Sequence, residues 1–330
     1  MESIINIGQI GCGYWGPNLL RNLHVNSRCK VSLVVDRSKM RINFVQKNYP
    51  GIKVSQDEND IFNDPNIDAV VIATPVFSHF ELVLKSIASQ KHVLVEKPLA
   101  KNLIEIDKIK EAASGNNCIV MVGHTFLYNQ AVRYIKNIID SGHIGDVRYI
   151  TSQRLNLGRI RSDIDALLNF APHDVSIIQY LLNEPTPVST TRHGMSYIQD
   201  DIDDVVFLNI KYPENKMANI HVSWLDPRRI RCMTIVGSEK MIVYDDISEN
   251  KVTIFDKGIN RNAVLGEYMD YDSNFKEFNY RFGDIVLPKI DFIEPLKVEI
   301  DHFFDCITKD IKCITGIDHA RKVASILDCT

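Results

Sequence analysis

The sequence GCGYWG at positions 11–16 fits the GxGxxG spacing of a turn that holds a dinucleotide. It follows a short apolar run and precedes a helical pattern, which is the context that this motif requires. Gly11 permits the tight turn, Gly13 lets the backbone approach a pyrophosphate, and Gly16 lets helix and strand pack closely. The helix that follows would offer free N–H groups and the positive end of its dipole to the phosphates. An ordinary glycine-rich turn is the alternative interpretation.

An acid stands 20 residues after Gly16, at the end of the second apolar run. The carboxylate of this residue, Asp36, would bond the ribose hydroxyls and repel a 2′-phosphate, which favours NAD over NADP. Arg37 comes next, and an arginine at this place can pair with a 2′-phosphate. The sequence therefore predicts NAD as the cofactor and leaves NADP open.

A lysine follows a later apolar run and is a candidate for catalysis. We expect Lys97 at the carboxyl end of the fourth strand, the edge at which ligands bind in open α/β sheets. Pro98 fixes the direction of the chain there, and this X–Pro bond is open to the cis form. The Lys97 ammonium would stabilise an alkoxide-like transition state. The alternative is an exposed lysine at a strand end.

A histidine in the second half of the chain is the second catalytic candidate. The ordinary pKa of histidine, near 6.5, suits a general base at neutral pH, and this is our hypothesis for His173. Because Pro172 biases the residue before it away from helical conformation, we expect a helix to begin near His173 and not to include Asn169. A histidine at a helix start that bonds to the backbone is the alternative.

Two groups of arginines suggest the charge of the substrate. The planar guanidinium suits a pyrophosphate or a carboxylate, whereas a neutral cyclitol would need neither group. A solvated basic loop is the alternative for both groups. The first group consists of Arg154, Arg159 and Arg161, and the second of Arg228, Arg229 and Arg231.

The elements that must position these residues follow from the hydrophobic pattern. Short apolar, β-branched runs alternate with helical patterns up to residue 123, which predicts a doubly wound parallel sheet. We predict the strands at Ile4–Ile10, Val31–Val35, Ala69–Thr74, His92–Glu96 and Cys118–Val122. Helices are predicted between them at about 16–26, 37–48, 79–90 and 102–114.

Beyond residue 123 the pattern changes. A helix at about 130–141 is followed by runs with strand character that succeed one another without helices, except for the one near His173. Such a series predicts a mostly antiparallel open sheet. Residues 257–290 lack a clear period and are predicted as a long loop, and two helices close the chain at about 295–309 and 317–328. The strand predictions are 146–153, 188–194, 203–212, 217–225, 231–236, 240–245 and 251–256.

The length and composition agree with two domains. The 330 residues exceed what one ordinary domain holds, so we predict a Rossmann domain at 1–123 and a second α/β domain at 124–330 that includes the C-terminal helices. With 38 basic and 42 acidic residues the net charge is -4, which excludes a global attraction to nucleic acid or an anionic membrane. No apolar stretch approaches the roughly 18 residues of a membrane-spanning helix.

The seven cysteines are scattered, odd in number and without a CxxC pair. We therefore expect neither a disulfide framework nor a metal site. The N-terminal residues lack a basic leader, and together with the cysteine usage this favours the cytoplasm.

Further motifs carry a resemblance to a known family. Ala73-Thr74-Pro75 follows the third strand, with His79 opening the next helix, and Glu96-Lys97-Pro98 follows the fourth. With the glycine motif, and with sequences VGH at 122–124, APHD at 171–174 and EPLKVE at 294–299, the whole chain resembles the Gfo/Idh/MocA family of glucose–fructose oxidoreductase and inositol dehydrogenase. The Glu-Lys-Pro element is the most specific single feature.

The resemblance implies a Rossmann domain joined to an α/β domain whose open sheet makes contacts in a homo-oligomer, a dimer or a tetramer. It also implies hydride exchange between nicotinamide and a carbon that bears a hydroxyl, usually on a sugar or cyclitol. Residues 124–129 and 153–159 look closest to the nucleotide-sugar branch, similar to UDP-N-acetylglucosamine or glucosaminuronate 3-dehydrogenases of surface-polysaccharide pathways.

One position departs from the family pattern. The family has an acid four residues before the histidine, and here that position is Asn169. An asparagine can orient the imidazole of His173 or bind substrate, but it carries no negative charge to stabilise an imidazolium. Asp174 follows directly and would partly substitute.

The predicted site can be stated residue by residue. We expect catalysis from Lys97, His173 and Asn169. We expect cofactor binding from Gly11, Gly13, Tyr14, Trp15, Gly16, Asp36, Arg37, Thr74, Pro75, His79, Glu96 and Lys97. We expect substrate binding from Tyr128, Arg154, Asn156, Arg159, Arg161, Asn169 and His173.

The predicted function is a dehydrogenase or ketoreductase that acts on a ring hydroxyl, at C3, of a nucleotide-linked sugar. Two alternatives stay open: a dehydrogenase of a free sugar or cyclitol, and a catalytically silent dinucleotide sensor. The intact Lys97 and His173 argue against the sensor, whereas Asn169 leaves it open.

Overall fold

The computed structural model describes residues 4–261 and 278–328, and the chain divides into two compact units. The first unit contains residues up to Asn129 together with Ile293–Asp328, and the second contains Gln130–Phe292. This division differs from the predicted boundary at residue 123, because the C-terminal helices belong to the first unit and not to the second.

The first unit is built on a parallel sheet with helices in the connections, as the sequence predicts. Its strand order is β3-β2-β1-β4-β5-β6, the order of a doubly wound dinucleotide-binding sheet. The strands are β1 (Ile5–Ile10), β2 (Cys29–Val35), β3 (Lys53–Ser55), β4 (Ala69–Ile72), β5 (His92–Glu96) and β6 (Val120–Gly123). The helices between them are α1 (Gly16–Val25), α2 (Lys39–Asn48), α3 (Asn59–Phe62), α4 (His79–Ala88) and α5 (Leu103–Ser114). The short β3 and α3 were not predicted.

The core of this unit lies on both sides of the central strands. All four residues of β4 and all four of β6 are buried, which explains their continuously apolar sequences. Helix α4 buries Leu82, Val83 and Ile87 against the same core.

The C-terminal helices complete the first unit. They are α8 (Pro295–Lys309) and α9 (Ile317–Leu327), and α9 packs beside α5. The Arg321 guanidinium donates two hydrogen bonds to Asp107 of α5, at 2.5 and 3.0 Å. The peptide N–H of Val122 in β6 donates to the carbonyl of Thr315, between the two helices, at 2.8 Å. An amphipathic pattern shows that a helix buries one face, but it does not show which sheet that face covers. The sequence therefore did not predict that α8 and α9 pack in the first unit.

The second unit is built on an open sheet of order β14-β13-β12-β11-β7-β10-β9-β8. Strands β7 and β10 pair in parallel and the other neighbours are antiparallel, which confirms the predicted architecture. Helix α7 packs against β7, β9 and β10. The strands are β7 (Val147–Leu157), β8 (Ser189–Met195), β9 (Val205–Tyr212), β10 (Lys216–Ser223), β11 (Leu225–Gly237), β12 (Met241–Asp245), β13 (Val252–Arg261) and β14 (Phe278–Val286), and the helices are α6 (Gln130–Asp140) and α7 (Ala166–Leu181).

The predicted loop over 257–290 is wrong in part. Strand β13 continues to Arg261 and β14 pairs with it in antiparallel register. Both strands contain a glycine, Gly258 and Gly283, which weakens the local strand signal that a single sequence provides. Residues 262–277, the centre of the predicted loop, lie outside the described residues.

Over residues 4–261 and 278–328, every helix is too short or too polar to span a membrane.

Candidate active site

The glycine motif forms a locked turn between β1 and α1. Gly11 has φ +95°, and a Cβ atom there would lie 2.6 Å from the carbonyl oxygen of Ala73. A Cβ on Gly16 would lie 2.6 Å from the Gly11 carbonyl oxygen, so helix and turn touch at this point. The buried amide of Gln9 donates to the carbonyls of Gly11 and Gly16, at 2.9 and 3.0 Å. Only glycine fits at these two positions.

The same turn leaves room where a pyrophosphate would approach. A Cβ on Gly13 would meet no atom within 4 Å, so its backbone is open. Helix α1 has no side-chain cap at its N-terminus and no acid in its first turn. Uncapped N–H groups and a positive dipole end suit a phosphate. The residues present therefore fit the predicted dinucleotide. Tyr14, which is exposed, and the less exposed Trp15 lie in the turn.

Asp36 connects the end of β2 to this turn. Its carboxylate accepts hydrogen bonds from the peptide N–H groups of Cys12, at 2.7 Å, and Ser38, at 2.8 Å. Each carboxylate oxygen has a second lone pair, so the group retains acceptor capacity for ribose hydroxyls. Arg37 is exposed beside it. The geometry suits the predicted role of Asp36 and leaves Arg37 accessible.

His79 differs from its predicted role. We predicted a contact with the cofactor, but the side chain lies in the interior, with 1% of the residue exposed. Its two ring nitrogens lie 2.8 Å from the carbonyl oxygens of Thr74 and Pro98. Burial lowers the pKa of the ring. His79 thus holds the loop after β4 to the loop after β5, while Thr74 and the exposed Pro75 form the accessible part of this region.

Glu96 and Lys97 end β5, and the Lys97–Pro98 peptide is cis. The Glu96 carboxylate accepts hydrogen bonds from the Trp15 indole and from the Lys97 peptide N–H. Burial raises the pKa of Glu96 to about 7, and the Lys97 charge opposes this shift. Glu96 therefore joins the glycine turn to the strand end that presents Lys97.

A second buried acid lies near Glu96 and was missed as a site residue. Glu299 of α8 is fully buried. Burial and the charge of Glu96 hold the pKa of Glu299 well above its usual range, and a hydrogen bond with Thr125 partly offsets them. The uncharged form of Glu299 is therefore favoured. The motif at 294–299 was the signal that could have identified Glu299. The apolar periodicity of the helix did not distinguish this residue from those that only pack.

His124 and His319 form a pair of rings, and His124 lies close enough to Lys97 to feel its charge. The two rings meet edge to face, with centroids 5.1 Å apart, and both residues are buried. Burial, His319 and Lys97 hold the pKa of His124 well below its usual range. The neutral form of His124 is therefore favoured.

Tyr128 also departs from its prediction. We expected it to bind substrate, but the residue has no exposed surface. Its hydroxyl lies 3.0 Å from the Thr315 hydroxyl and 3.9 Å from the Met121 sulfur. Tyr128 packs inside the first unit, which was the alternative that simple core packing offers.

In the second unit, α7 carries both Asn169 and His173. The helix begins at Ala166, capped by the Asp165 side chain, which accepts from the Leu168 N–H at 2.8 Å. The prediction of a helix that begins near His173 is therefore wrong. Pro172 lies inside the helix and is buried, as are Ala171 and Asp174, so tertiary packing outweighs the local preference. Residues four apart share a helix face, which brings Asn169 and His173 together.

Arg154 and Asp174 are not available for their predicted roles. Arg154 Nε lies 2.8 Å from one Asp174 oxygen and its Nη2 lies 3.2 Å from the other. The Ser152 hydroxyl also donates to Asp174, at 2.8 Å. Only 7% and 5% of the two side chains are exposed. Asp174 therefore neutralises Arg154 in the interior and does not substitute for the acid missing at position 169.

The two arginine groups meet in the sheet. Strand β11 pairs with β7, and Arg231 lies opposite Arg154. The register of this pair is interrupted between Leu225 and Ile230, and the interruption carries the exposed Arg228 and Arg229. Burial, Arg154 and Arg229 lower the pKa of Arg231. The two groups therefore come together at this end of the sheet. Asp174 and Asp246 pair with Arg154 and Arg231, and the exposed Arg159, Arg228 and Arg229 form a basic region.

The remaining predicted residues of this region lie at its edge. Asn156 is half-buried near the end of β7, and Arg159 is exposed just beyond that strand. Arg161 is exposed and donates two hydrogen bonds to Asp163, at 2.8 and 2.5 Å.

Comparison with known proteins agrees with this geometry. Residues 5–124 match the family model described as "Oxidoreductase family, NAD-binding Rossmann fold", and residues 132–243 match the "GFO/IDH/MocA C-terminal domain". The two models of one family together cover most of the chain.

Individual relatives are distant. The chain is 25% identical over 330 residues to the scyllo-inositol 2-dehydrogenase (NAD(+)) of Bacillus subtilis, covering 96% of this chain and 89% of that protein. It is 26% identical over 228 residues to an uncharacterized oxidoreductase of Streptococcus pneumoniae, covering 65% of this chain and 61% of that protein. The UDP-N-acetylglucosamine 3-dehydrogenase GnnA of Acidithiobacillus ferrooxidans has the same fold, with a TM-score of 0.81, 20% identity and coverage of 99% and 96%.

Proposed function

Because the chain belongs to the Gfo/Idh/MocA family of NAD-dependent oxidoreductases, we propose that it oxidises a ring hydroxyl at C3 of a nucleotide-linked sugar, or reduces the corresponding ketone. Bound NAD supplies the hydride acceptor in this chemistry. The chain's own residues must bind the dinucleotide, accept the hydroxyl proton and stabilise the developing oxyanion.

Lys97 is the group we assign to the oxyanion. It lies at the carboxyl end of β5, and the cis bond to Pro98 follows it directly. Burial lowers the pKa of His124 and raises the pKa of Glu299, which favours the uncharged form of each group in this region. A fixed positive charge placed where negative charge develops lowers the energy of the transition state.

His173 is the group we assign as general base, with Asn169 on the same face of α7. An asparagine side chain offers a carbonyl oxygen and an amide to orient an imidazole or bind a sugar hydroxyl. It adds no negative charge beside His173, unlike the carboxylate of the family pattern.

The basic region of the second unit is the observation that carries the nucleotide-linked substrate. Arg228 and Arg229 are exposed on the β11 irregularity, and Arg159 is exposed just beyond β7, the strand that pairs with β11. Guanidinium groups bind pyrophosphate with two parallel hydrogen bonds. A UDP-sugar carries such a group, whereas a neutral cyclitol does not. The name of the GnnA structural neighbour agrees with this substrate class.

Oxidation of a free cyclitol or sugar is the second candidate. The Bacillus relative that covers 96% of this chain is named as a scyllo-inositol dehydrogenase, and this specific observation favours it. In that case the exposed arginines would be solvated surface.

A turnover panel separates the two candidates. The purified protein would be mixed with NAD and with UDP-N-acetylglucosamine, its uronate, myo-inositol or scyllo-inositol, and nicotinamide reduction followed by absorbance. The proposal is supported if the wild-type protein turns over a nucleotide sugar and if Arg228→Ala and Arg229→Ala each raise the KM for that sugar. Turnover of inositols alone would establish the second candidate, and C3 would be tested by locating the ketone in the product.

We further propose a cytoplasmic homo-oligomer, a dimer or a tetramer, formed through the open sheet of the second unit. Several large apolar side chains are exposed on its strands, including Phe207 and Met217 of β9 and β10, and Tyr280 and Phe282 of β14. Exposed apolar surface of this kind marks an interaction site. Light scattering on the purified protein gives the number of chains, and a monomer at working concentration would refute this part.

A further inference from the structure

A cluster of nitrogen and sulfur ligands lies in the first unit, outside the proposed catalytic machinery. His302 and Cys306 are one helical turn apart on α8, and Cys313 lies on the segment that follows. One ligand atom from each residue lies within 4.8 Å of the other two. The distance from His302 Nε2 to Cys306 Sγ is 3.5 Å. We propose that His302, Cys306 and Cys313 bind a zinc ion.

The spacing agrees with zinc coordination. Ligands at about 2.3 Å for sulfur and about 2.0 Å for nitrogen, separated by a tetrahedral angle, lie roughly 3.5 Å apart. One imidazole and two thiolates are the ligands that zinc prefers over magnesium or calcium, which take oxygen. Three protein ligands leave the fourth position to water or a small exogenous ligand.

The backbone explains why three residues from two segments meet. Helix α8 ends at Asp310, which has left-handed backbone angles (φ 51°) and turns the chain. The Ile314 N–H then donates to His302 Nε2, at 3.1 Å, which directs this nitrogen toward the segment that carries Cys313. Zinc would displace this hydrogen bond, because both use the same nitrogen.

The ligand cluster as a whole is only partly buried. Cys306 is buried, while His302 and Cys313 are half-buried and leave an approach from solvent. The nearby Asp305 carboxylate is paired with Arg28 and Lys309, at 2.8 and 2.9 Å, so it does not belong to the ligand set. The proposed site departs from the expectation of no metal, which rested on the missing CxxC pair. The ligands here follow a His-x3-Cys-x6-Cys spacing instead.

Zinc would fasten the C-terminal segment to the Rossmann sheet. Thr315, two residues after Cys313, accepts a hydrogen bond from the Val122 N–H of β6 through its carbonyl. Its hydroxyl also lies 3.0 Å from that of Tyr128. An ion shared by α8 and this segment would therefore stabilise the first unit as a whole, since binding to the folded state alone raises stability.

The test uses the full-length protein, purified under reducing conditions and stripped of metal with a chelator. Zinc titrated against a chromophoric chelator should bind at one ion per chain. Cys306→Ser and Cys313→Ser should each weaken binding by about 100-fold or more, beyond the 10–100-fold typical of an outer-shell partner. Cys118→Ser, a half-buried cysteine of the same unit, is the matched control and should bind as the wild type does.

Cobalt provides a readout that does not depend on the folding of the variants. Wild-type protein with Co²⁺ should show the sulfur-to-cobalt charge-transfer band of a two-thiolate site, and zinc should also raise the melting temperature. The absence of that band, or unchanged zinc affinity in both cysteine variants, would overturn the proposal. So would a Cys306–Cys313 disulfide that forms readily in a protein that binds no zinc.

Discussion

Arg154 and Asp174 form a two-bond ion pair in the interior of the second unit, with Nε and Nη2 of the arginine facing the two carboxylate oxygens. Both side chains are almost fully enclosed, so solvent does not screen the attraction between their charges. The pair thus fixes β7 to α7, and it sets the positions of the residues next to it, including His173.

Breaking this pair should destabilise the protein strongly. Arg154→Met leaves the Asp174 charge buried without its partner, and removal of one member of a buried pair costs about 3–5 kcal/mol. Arg154→Met/Asp174→Leu should recover much of the loss, because a matched apolar pair avoids that charge. Urea unfolding of the NAD-free protein measures both, with the exposed Arg161→Ala as control, expected within about 0.5 kcal/mol of wild type. Equal stability of Arg154→Met and the control would contradict the assignment.

Asp36→Ala should weaken NAD binding and relax discrimination against NADP. The change removes the acceptor for the ribose and also the bond to the Cys12 N–H, so both affinities are affected, but only NADP gains from the lost repulsion. Fluorescence titration with NADH and NADPH measures the ratio of the two Kd values. Arg37→Ala in the Asp36→Ala background should remove the NADPH gain. An unchanged ratio in Asp36→Ala would refute the role of this acid.

Lys97→Ala should lower kcat by about 10²–10³, the loss typical when one group that stabilises an oxyanion is removed. Lys101→Ala is the matched control, since Lys101 is an exposed lysine four residues further on. Steady-state kinetics with the substrate found in the turnover panel provides the measurement. If kcat is the same in both variants, Lys97 does not act on the reacting oxygen. A large loss would also exclude the silent-sensor alternative.

Asn169→Asp should shift the pH dependence of oxidation. A carboxylate one turn before His173 favours the imidazolium, so the pKa of His173 rises and the base becomes available only at higher pH. We expect the acidic limb of kcat/KM to move upward by on the order of one pH unit. Asn169→Ala adds no charge and should leave the limb in place. A limb that moves equally in both variants would show that charge is not the cause.

Glu96→Gln should change how stability depends on pH. Burial raises the pKa of Glu96 from 4.5 to about 7. Between these two pH values the folded chain keeps a proton on Glu96 that the unfolded chain has released. The folded state therefore binds more protons, and the stability contribution of Glu96 is full below pH 4.5, falls as pH rises to about 7 and then levels. Chemical unfolding of NAD-free wild type and Glu96→Gln across this range should give a difference that changes with pH. A constant difference would contradict the raised pKa.

The sequence predicted the elements more reliably than the neighbours of each side chain. The positions of the glycine turn, Asp36 and Lys97 could be predicted because strand, turn and helix follow directly along the chain, and each residue lies at a defined place in that order. The roles of Tyr128, His79 and Arg154 depend instead on Thr315, Pro98 and Asp174, which come from other segments. Only tertiary packing decides whether such a side chain faces a ligand or the interior.

The misplaced start of α7 and the missed strand β14 have a similar cause. Local preference at Pro172 argued for a helix end, and Gly283 argued for a loop, but burial in one case and pairing with β13 in the other outweighed those preferences. Glu299 and the His302 cluster were hidden for a different reason. Glu299, His302 and Cys306 lie on a helix whose apolar periodicity predicts packing but not which sheet the helix covers, and Cys313 lies on the segment after it.

The return of residues 293–328 to the first unit has a consequence for synthesis. The ribosome makes β1 to β6 first, then the 130–292 segment, and only then α8 and α9. The partners of Val122 and Asp107 therefore emerge last, and the first unit lacks the helix that packs beside α5 and β6 while the second unit is translated. Domains usually fold as units during translation, from the N-terminus onward. In this chain the N-terminal unit is therefore completed last, after the unit that follows it along the sequence.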